Sequence, residues 1–213
     1  MKQSETEVDD EKLIIFVKAP RPGAVKTRLG EAIGAEASCA AYRQLVEALL
    51  RRLQRLSAVE LGFSPDDAAG EIQTWLKRGW TTRPQGAGNL GQRLQSAFER
   101  AFVTGVKRAV IIGSDCPAVT AEDIYEAWNG LRTHDVVLGP ATDGGYWLIG
   151  LRRLQPELFH RIPWSTETVF GETMKRIRQA GLDVQLLREL SDVDTAHDWR
   201  AFLTAQNRDG IPL

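Results

Sequence analysis

The sequence predicts an α/β fold, namely a three-layer α/β/α sandwich whose central sheet is mixed but mostly parallel. Two observations support this prediction. From Leu13 onwards, short runs of β-branched and aliphatic residues alternate with amphipathic stretches, and this alternation is typical of strand–helix units around a sheet. Several runs, such as residues 13–17 and 109–112, are continuously apolar, as strands are when helices cover both of their faces.

The elements of the first half of the chain follow this alternation. Residues 13–17 form the first predicted strand. Apolar residues from Tyr42 to Leu56 then recur every three or four positions, which places them on one face of a helix over residues 36–56. The next predicted elements are a strand at 59–63, a helix at 90–102 and a strand at 109–112.

The second half continues in the same way. Thr120, followed three positions later by Asp123, has the pattern of a capped helix start, and Gly181 is a good C-terminal cap for the helix that precedes it. A short glycine-rich turn separates two further strands. The predicted elements are a helix at 120–131, strands at 135–138 and 146–151, a helix at 166–180, a strand at 183–187 and a helix at 195–205.

The domain organisation is predicted to be simple. Residues 1–12 are acidic and lack apolar periodicity, so we expect a disordered leader there. Residues 13–213 contain no repeat, long linker or low-complexity tract, and their number suits one domain with a full core. We therefore predict a single domain over residues 13–213.

Composition excludes several classes of partner. The 213 residues include 27 Lys and Arg against 28 Asp and Glu, so no general nucleic-acid partner is expected. No apolar run approaches the roughly 20 residues of a membrane span, and the acidic start does not resemble a secretion signal, which favours a cytoplasmic location. Cys39, Cys116 and the three histidines have no zinc-site spacing.

The segment after the first predicted strand, residues 18–29, contains four cations and no acid. Prolines stiffen this loop, a glycine lets backbone approach a ligand, and its cations and hydroxyl suit phosphate oxygens. It is not a P-loop, since Val25 rather than glycine precedes Lys26. The alternative is a solvated basic loop. The predicted nucleotide-binding residues of this loop are Lys18, Pro20, Gly23, Lys26, Thr27 and Arg28.

Two further segments offer groups for phosphate and metal. Asn89 and Arg93 lie at the start of a predicted helix, where free amides favour anions. Asp115 directly follows a buried strand and is the best candidate ligand for Mg²⁺ or Mn²⁺, with a turn role as the alternative. Asp192 or Asp194 is a candidate second metal carboxylate. We select Asp194, although it could instead cap the last helix.

Residues 143–147 form the last candidate segment. Asp143 precedes two glycines that suit a tight turn beside a ligand, although an ordinary hairpin would need the same residues. The Asp143 carboxylate is a candidate general base. The predicted contacts to a sugar or acceptor come from Gly144, Gly145 and Trp147, whose ring could stack on an apolar sugar face.

The order of these segments resembles a bacterial family of GT-A-type proteins, described as glycosyltransferase-like or nucleotide-diphospho-sugar transferases. The resemblance covers residues 13–199 and extends to guanylyltransferases of the molybdopterin and phospholactate types. The motifs that carry it are Lys-x-Pro-x-Pro-Gly-x-x-Lys-Thr-Arg-Leu, Asn-Leu-Gly-x-Arg, Gly-Ser-Asp-Cys-Pro, Asp-Gly-Gly-Tyr-Trp-Leu-Ile-Gly-Leu, Pro-Trp-Ser-Thr and Asp-Val-Asp-Thr.

The resemblance implies a nucleotide at the first loop, with Lys26 and Arg28 on its phosphates, and a divalent metal at Asp115. The chain departs from the Asp-x-Asp metal motif common in glycosyltransferases of this fold, because Gly113 and Pro117 occupy the positions two residues away. This departure weakens the case for metal binding and for sugar transfer.

The predicted function is an Mg²⁺- or Mn²⁺-dependent transferase that uses a nucleotide-activated sugar and a small-molecule acceptor. Lys26 and Arg28 would stabilise the departing diphosphate, and Asp143 would act as the base. One alternative is a nucleotidyltransferase that releases pyrophosphate from a nucleoside triphosphate. The other is a nucleotide-binding domain without catalysis.

Overall fold

A seven-stranded mixed β-sheet organises residues 10–208, which are the residues that the computed structural model describes. Its strand order is β3-β2-β1-β4-β6-β5-β7, and β6 runs antiparallel to both of its neighbours while the other pairs are parallel. The strands are β1 (Glu11–Lys18), β2 (Val59–Ser64), β3 (Thr81–Pro84), β4 (Arg108–Gly113), β5 (Val136–Pro140), β6 (Tyr146–Leu151) and β7 (Val184–Leu186).

Helices cover both faces of this sheet. Buried side chains of α2 and α5 belong to one hydrophobic cluster, and those of α4 and α6 belong to a second cluster on the opposite face. The predicted α/β sandwich with a mixed, mostly parallel sheet is therefore confirmed. The helices are α1 (Thr27–Ile33), α2 (Ala35–Leu53), α3 (Ala69–Ile72), α4 (Leu90–Val103), α5 (Ala121–Gly130), α6 (Val169–Gln179) and α7 (Ala196–Arg208).

Three short elements, α1, α3 and β3, were absent from the sequence prediction. The β3 strand is a largely polar edge strand of four residues, and α3 is a single turn, so neither presents an apolar period. The α1 helix begins within residues 18–29, the segment predicted as loop, and continues beyond it. None of the helices within residues 10–208 has both the length and the apolar character needed to cross a bilayer.

The predicted leader is wrong at its last two residues, since β1 begins at Glu11. Residues 1–9, and residues 209–213 of the predicted domain, lie outside the described part of the chain. Glu11 pairs with Arg108 at 3.0 Å, and Lys12 pairs with Glu60 at 2.7 Å. Because charged neighbours replace apolar contacts at this end of the strand, no hydrophobic pattern marks it.

The central strands determine where a ligand can bind. Leu13–Val17 of β1 are all buried, which requires cover on both faces. The parallel register pairs Phe16 of β1 with Gly113 of β4, so the segments that follow both strands leave the sheet at the same edge. Ligand sites in open α/β sheets lie beyond this carboxyl edge.

Asp123 connects α5 to the chain that follows β7. Its carboxylate accepts bonds from Arg188 Nε at 2.6 Å and Arg188 Nη2 at 2.7 Å, and from the Thr120 backbone N–H at 2.8 Å as part of a capping box. Burial by itself raises the pKa of Asp123, but the Arg188 guanidinium and the Thr120 N–H outweigh it and lower the pKa below the usual 3.8.

Asp123→Asn is expected to lower the free energy of unfolding by about 2 kcal/mol at neutral pH, because it removes a charge-assisted bidentate pair and weakens a cap. The pKa of Asp123 is lower in the folded protein than its unfolded value of 3.8, so the ionised carboxylate stabilises the fold at pH values above 3.8. This contribution disappears as the pH falls through the folded-state pKa. Urea unfolding at about pH 7 and about pH 3 tests this. The exposed Glu122→Gln in the same turn is the control, and an equal loss for Asp123→Asn at both pH values would contradict the assignment.

Candidate active-site cleft

A cleft of about 770 Å³ opens at the carboxyl ends of β1 and β4. The segments after both strands line it, together with the turn before β6, the segment before α6 and the segment before α7. A volume of this size accommodates a nucleotide-sized ligand. The polar lining residues include Lys18, Lys26, Thr27, Arg28, Gln85, Arg93, Ser114, Asp115, Asp143, Ser165, Thr166, Glu167, Asp192 and Asp194.

The side chain of Lys26 bridges two carboxylates at the base of this cleft. Lys26 Nζ lies 2.5 Å from Asp115 Oδ1 and 2.8 Å from Asp194 Oδ1. The lysine side chain is only 3% exposed, whereas those of Asp115 and Asp194 are 47% and 38% exposed. Burial favours the neutral amine, but the two carboxylates outweigh it and raise the pKa of Lys26. The bridge is therefore a charged ammonium with two anionic partners.

The backbone at Lys26 is as unusual as its side chain. Its φ of 47° and ψ of 48° lie in the left-handed region, a backbone conformation that residues other than glycine seldom adopt. Helix α1 begins at the next residue, so Thr27 and Arg28 lie in a first helical turn rather than in the predicted loop. Arg28 is 70% exposed at the cleft, with Nη1 4.0 Å from Asp194 Oδ2.

Asp194 does not cap the last helix. Thr195 and Asp198 form that cap, since the Asp198 N–H donates to Thr195 Oγ1 at 3.3 Å while Asp198 Oδ2 accepts from the Thr195 N–H at 2.8 Å. The Asp194 carboxylate is thus free to face Lys26. The Val193 N–H donates to the Asp115 carbonyl at 3.0 Å, which fixes this segment against the end of β4.

Two more carboxylates add negative charge to the cleft. Burial, together with repulsion from Asp115 and Asp143, raises the pKa of Asp192 to about 7, although Lys26 opposes this rise. Asp143 Oδ1 accepts the Gly145 N–H at 2.9 Å. Within residues 10–208, no three carboxylate, imidazole or thiol side chains converge closely enough to enclose a metal ion alone. Carboxylate oxygens are nevertheless the donors that hard divalent cations prefer.

Tyr42 of α2 supports the floor of the cleft from below. Its hydroxyl accepts the Lys18 backbone N–H at 2.8 Å and bonds Ser114 Oγ at 2.9 Å. Tyr42 is almost completely buried, and burial is the main reason that its pKa is raised. The hydroxyl therefore acts as a neutral link between the ends of β1 and β4.

Gln85 and Arg93 form a second link, on the side of β2. Gln85 Nε2 donates to the carbonyls of Val17 and Gly62 at 3.2 and 2.8 Å. Arg93 Nη1 donates to Gln85 Oε1 at 3.3 Å and to Ser64 Oγ at 3.2 Å. These partners are uncharged, and Arg93 forms no ion pair with any residue between 10 and 208.

Residues 164–167 build the far wall. A Cβ at Gly91 would lie 2.5 Å from Trp164 Nε1, and the Trp164 ring packs edge-on to Tyr146 with centroids 6.4 Å apart. Gly144, at φ 87°, has no room for a Cβ because the Glu167 carbonyl lies against it. The wall thus rests directly on the backbone of α4 and of the turn before β6.

The comparison with known proteins follows from this geometry. Residues 49–166 match the family described as "Uncharacterized protein conserved in bacteria (DUF2064)", and the match spans more than half of the chain. The chain belongs to this DUF2064 family. A crystal structure from Desulfovibrio desulfuricans G20, described as a "putative nucleotide-diphospho-sugar transferase", is 36% identical, with a TM-score of 0.87 over 93% of this chain and 88% of that chain.

More distant structures share the fold of this DUF2064 protein. The CMP:2-keto-3-deoxy-manno-octonic acid synthetase complexed with CTP is 12% identical, with a TM-score of 0.60 over 93% and 99% of the two chains. Rv0371c of Mycobacterium tuberculosis H37Rv, in complex with manganese, is 14% identical, with a TM-score of 0.53 over 92% and 98%. No curated protein matches the chain. The predicted resemblance to a nucleotide-diphospho-sugar transferase-like family is confirmed.

In this DUF2064 protein, the structure brings most of the predicted site residues to one cleft but not all of them. Pro20 is buried, and its carbonyl accepts from Cys39 Sγ at 2.9 Å. Gly23 lies exposed on the outer turn of the loop, and the Asn89 side chain caps α4 by accepting the Gln92 N–H at 3.0 Å. The predicted residues that do line the cleft are Lys18, Lys26, Thr27, Arg28, Arg93, Asp115, Asp143, Gly145, Trp147 and Asp194.

Two predicted contacts to a sugar are corrected. Trp147 is 3% exposed, its ring packs against Gly139, and its indole N–H donates to the Arg188 carbonyl at 3.1 Å. Its ring faces belong to the core, so it lacks the free surface that stacking requires. The backbone of Gly144 packs directly against residue Glu167 of the far wall.

Tyr42→Phe is expected to lower the free energy of unfolding by about 1–2 kcal/mol, because it leaves the Lys18 N–H and the Ser114 hydroxyl without this partner. Denaturant unfolding measures the loss. Tyr125→Phe, at a half-exposed tyrosine of α5, is the matched control. If both variants are as stable as the wild type, the hydroxyl does not support the cleft.

Proposed function

We propose that the protein is a divalent-metal-dependent transferase that uses a nucleotide-activated sugar and a small-molecule acceptor. The observation that carries this proposal is the division of one cleft into two unlike halves. One half contains the cations Lys18 at the end of β1, Arg28 in the first turn of α1, and Arg93, which bonds Ser64 at the end of β2. The half beside β6 contains Asp143, Glu167 and hydroxyl groups.

The cationic half suits a diphosphate. Arg28 is 70% exposed, and Lys18 is also exposed at the end of β1. Charge-assisted hydrogen bonds from such groups to phosphate oxygens are among the strongest in proteins. The fold shared with a synthetase complexed with CTP supports placing a nucleotide here.

A metal site at Asp115 and Asp194 fits the donors that are present. Both carboxylates are partly exposed, and both approach the same point in the cleft, which a lysine Nζ now marks. Mg²⁺ and Mn²⁺ are commonly held by one or two carboxylates together with substrate phosphates. When bound, the ion would neutralise charge on the departing diphosphate. The manganese complex of a protein with this fold supports the proposal.

The acidic half suits a group rich in hydroxyls. The residues that line it at 143–147, 164–167 and 192 include no lysine or arginine. Arg152 and Arg153, which could have added positive charge, pair instead with Asp135 at 2.8 and 3.4 Å. An acidic surface favours a neutral sugar and acceptor over a phosphorylated one, because like charges repel at short range.

Asp143 is the proposed base for the acceptor. Its Oδ1 is occupied by the Gly145 N–H, and no hydrogen bond to Oδ2 is formed within residues 10–208. Oδ2 would take the proton of the attacking hydroxyl as the bond between sugar and diphosphate breaks, and the diphosphate would leave towards Lys26 and Arg28.

A nucleotidyltransferase is the second candidate. The shared fold of the CTP-bound synthetase favours it, and the same cations would suit a triphosphate. Such a reaction with a phosphorylated acceptor needs a second anion site, which the acidic half of this cleft does not offer. Sugar transfer is therefore the preferred proposal.

Arg28→Ala is expected to weaken nucleoside diphosphate binding about ten- to a hundredfold, and Asp115→Asn to abolish the dependence of that binding on Mn²⁺. Calorimetric titration checks both. Arg21→Ala is the matched control, since Arg21 belongs to the same loop but pairs with Glu71 at 2.7 Å and lies outside the cleft. If Arg28→Ala binds the nucleoside diphosphate as tightly as the wild type does, Arg28 is a solvated surface charge and not a phosphate ligand.

We also expect slow hydrolysis of a nucleotide sugar, with release of a nucleoside diphosphate, that is lost in Asp143→Asn. A panel of nucleotide sugars with Mn²⁺, analysed for free nucleoside diphosphate, tests this. Pyrophosphate release from a nucleoside triphosphate and a sugar phosphate, with no turnover across the panel, would establish the nucleotidyltransferase instead. Nucleotide binding without either reaction would indicate a domain without catalysis.

A further inference from the structure

The group that lies between Asp115 and Asp194 is the ammonium of Lys26. Its Nζ lies 2.5 Å from one carboxylate and 2.8 Å from the other, and the lysine side chain is only 3% exposed. Surface lysines seldom adopt such a position, because a buried ammonium loses its hydration. The two carboxylates compensate for that loss only while both remain paired to it.

An ammonium and a divalent cation cannot occupy this position together. Mg²⁺ approaches its oxygen ligands to roughly 2.0–2.1 Å, and direct coordination would use the same carboxylate oxygens that Lys26 Nζ now contacts. Two cations at such a separation repel each other, and the repulsion grows as the site closes to water. One of them must leave for the other to bind.

The lysine head group is the part that can move. The Asp115 carbonyl is fixed by the Val193 N–H at 3.0 Å, and the Asp194 N–H donates to Asp198 Oδ2 at 3.2 Å. The backbone that carries each of the two carboxylates is therefore held in place by a hydrogen bond. Lys26 reaches them through a flexible four-carbon stem, so rotation of that stem is enough to release the ammonium.

A phosphate group in the cleft would provide the alternative partner. Lys18 and Arg28 line the same cleft as Lys26, so an anion bound there would lie within reach of the released ammonium. We infer from this arrangement that Lys26 competes with the divalent cation for Asp115 and Asp194, an inference that rests on the proposed function. The cation then binds weakly alone and strongly with a nucleotide, whose phosphates hold the displaced ammonium. The coupling is reciprocal, as all linked binding is.

Titration with Mn²⁺ alone tests this inference. Free Mn²⁺ is followed by electron paramagnetic resonance, without nucleotide, in the wild type and in Lys26→Met. The variant is expected to bind Mn²⁺ about tenfold more tightly, because the competing cation is absent. Lys26→Gln gives the same comparison with a polar side chain should Lys26→Met fail to fold, and circular dichroism verifies the fold of each variant.

Lys18→Met is the matched control, since Lys18 lines the same cleft but forms no ion pair with Asp115 or Asp194 within the described residues. It should change Mn²⁺ affinity by less than about threefold, as expected for a more distant charge. Equal or weaker Mn²⁺ binding in the folded Lys26 variants, or an equal gain in Lys18→Met, would overturn the inference.

The proposed function can fail separately from this inference. Binding of Mn²⁺ without nucleotide does not depend on which transfer reaction the protein performs. Tighter Mn²⁺ binding in the Lys26 variants, combined with no turnover of any nucleotide sugar, would reject sugar transfer and retain the competition. Turnover of a nucleotide sugar, combined with unchanged Mn²⁺ binding in the Lys26 variants, would retain sugar transfer and reject the competition.

Discussion

The buried ion pairing of Lys26 is the interaction on which the cleft depends. It connects the segment after β1 to the end of β4 and to the start of α7, and the lysine lies 168 positions from Asp194 in the chain. Asp115 and Asp194 contact this one cation, while Asp143 and Asp192 line the same cleft. Burial is the main reason that the pKa of Asp192 is raised to about 7, and repulsion from Asp115 and Asp143 adds to the rise while Lys26 opposes it. A single ammonium group therefore carries the ion pairing that joins these three segments.

The fold supports this pairing through the placement of its central strands. The adjacent parallel strands β1 and β4 bring Lys18 and Ser114 to one edge, and Tyr42 joins them with a neutral hydroxyl. Strand β5 runs in the same direction as β4 and ends at this edge, where the antiparallel β6 begins, so the turn at residues 143–145 lies at the same edge. Binding groups from distant parts of the sequence meet because strands of both directions contribute their ends there.

Much of this arrangement could be predicted from local sequence. Continuous apolar runs located the central strands, and the segments that follow those strands include Lys18, Lys26 and Asp115. Thr195 and Asp198 also carry a local signal, since a threonine followed three positions later by an acid is a capping pattern. That signal leaves Asp194 available to Lys26, and it could have decided between the two roles considered for this residue.

The remaining residues could not be predicted from their neighbours in the chain. Gln85 reaches the cleft through packing between elements far apart in sequence, and it belongs to no apolar period. The alternation of a strand places Tyr146 and Trp147 on opposite faces, but both faces of β6 are covered. The sequence therefore could not show which ring, if either, faces a ligand.

The two glycines beneath residues 164–167 set the limits within which this cleft can be redesigned. Gly91 and Gly144 leave no space between the wall and the backbone behind it, so the wall cannot retreat to admit a bulkier ligand. Any side chain at either position would push the wall inwards and narrow the cleft. A change of ligand size must therefore be made at side chains on the open surface of the wall, such as Ser165 and Glu167. The backbone of residues 164–167 is thus fixed in position, and the exposed side chains of this wall are the part that substitutions can change.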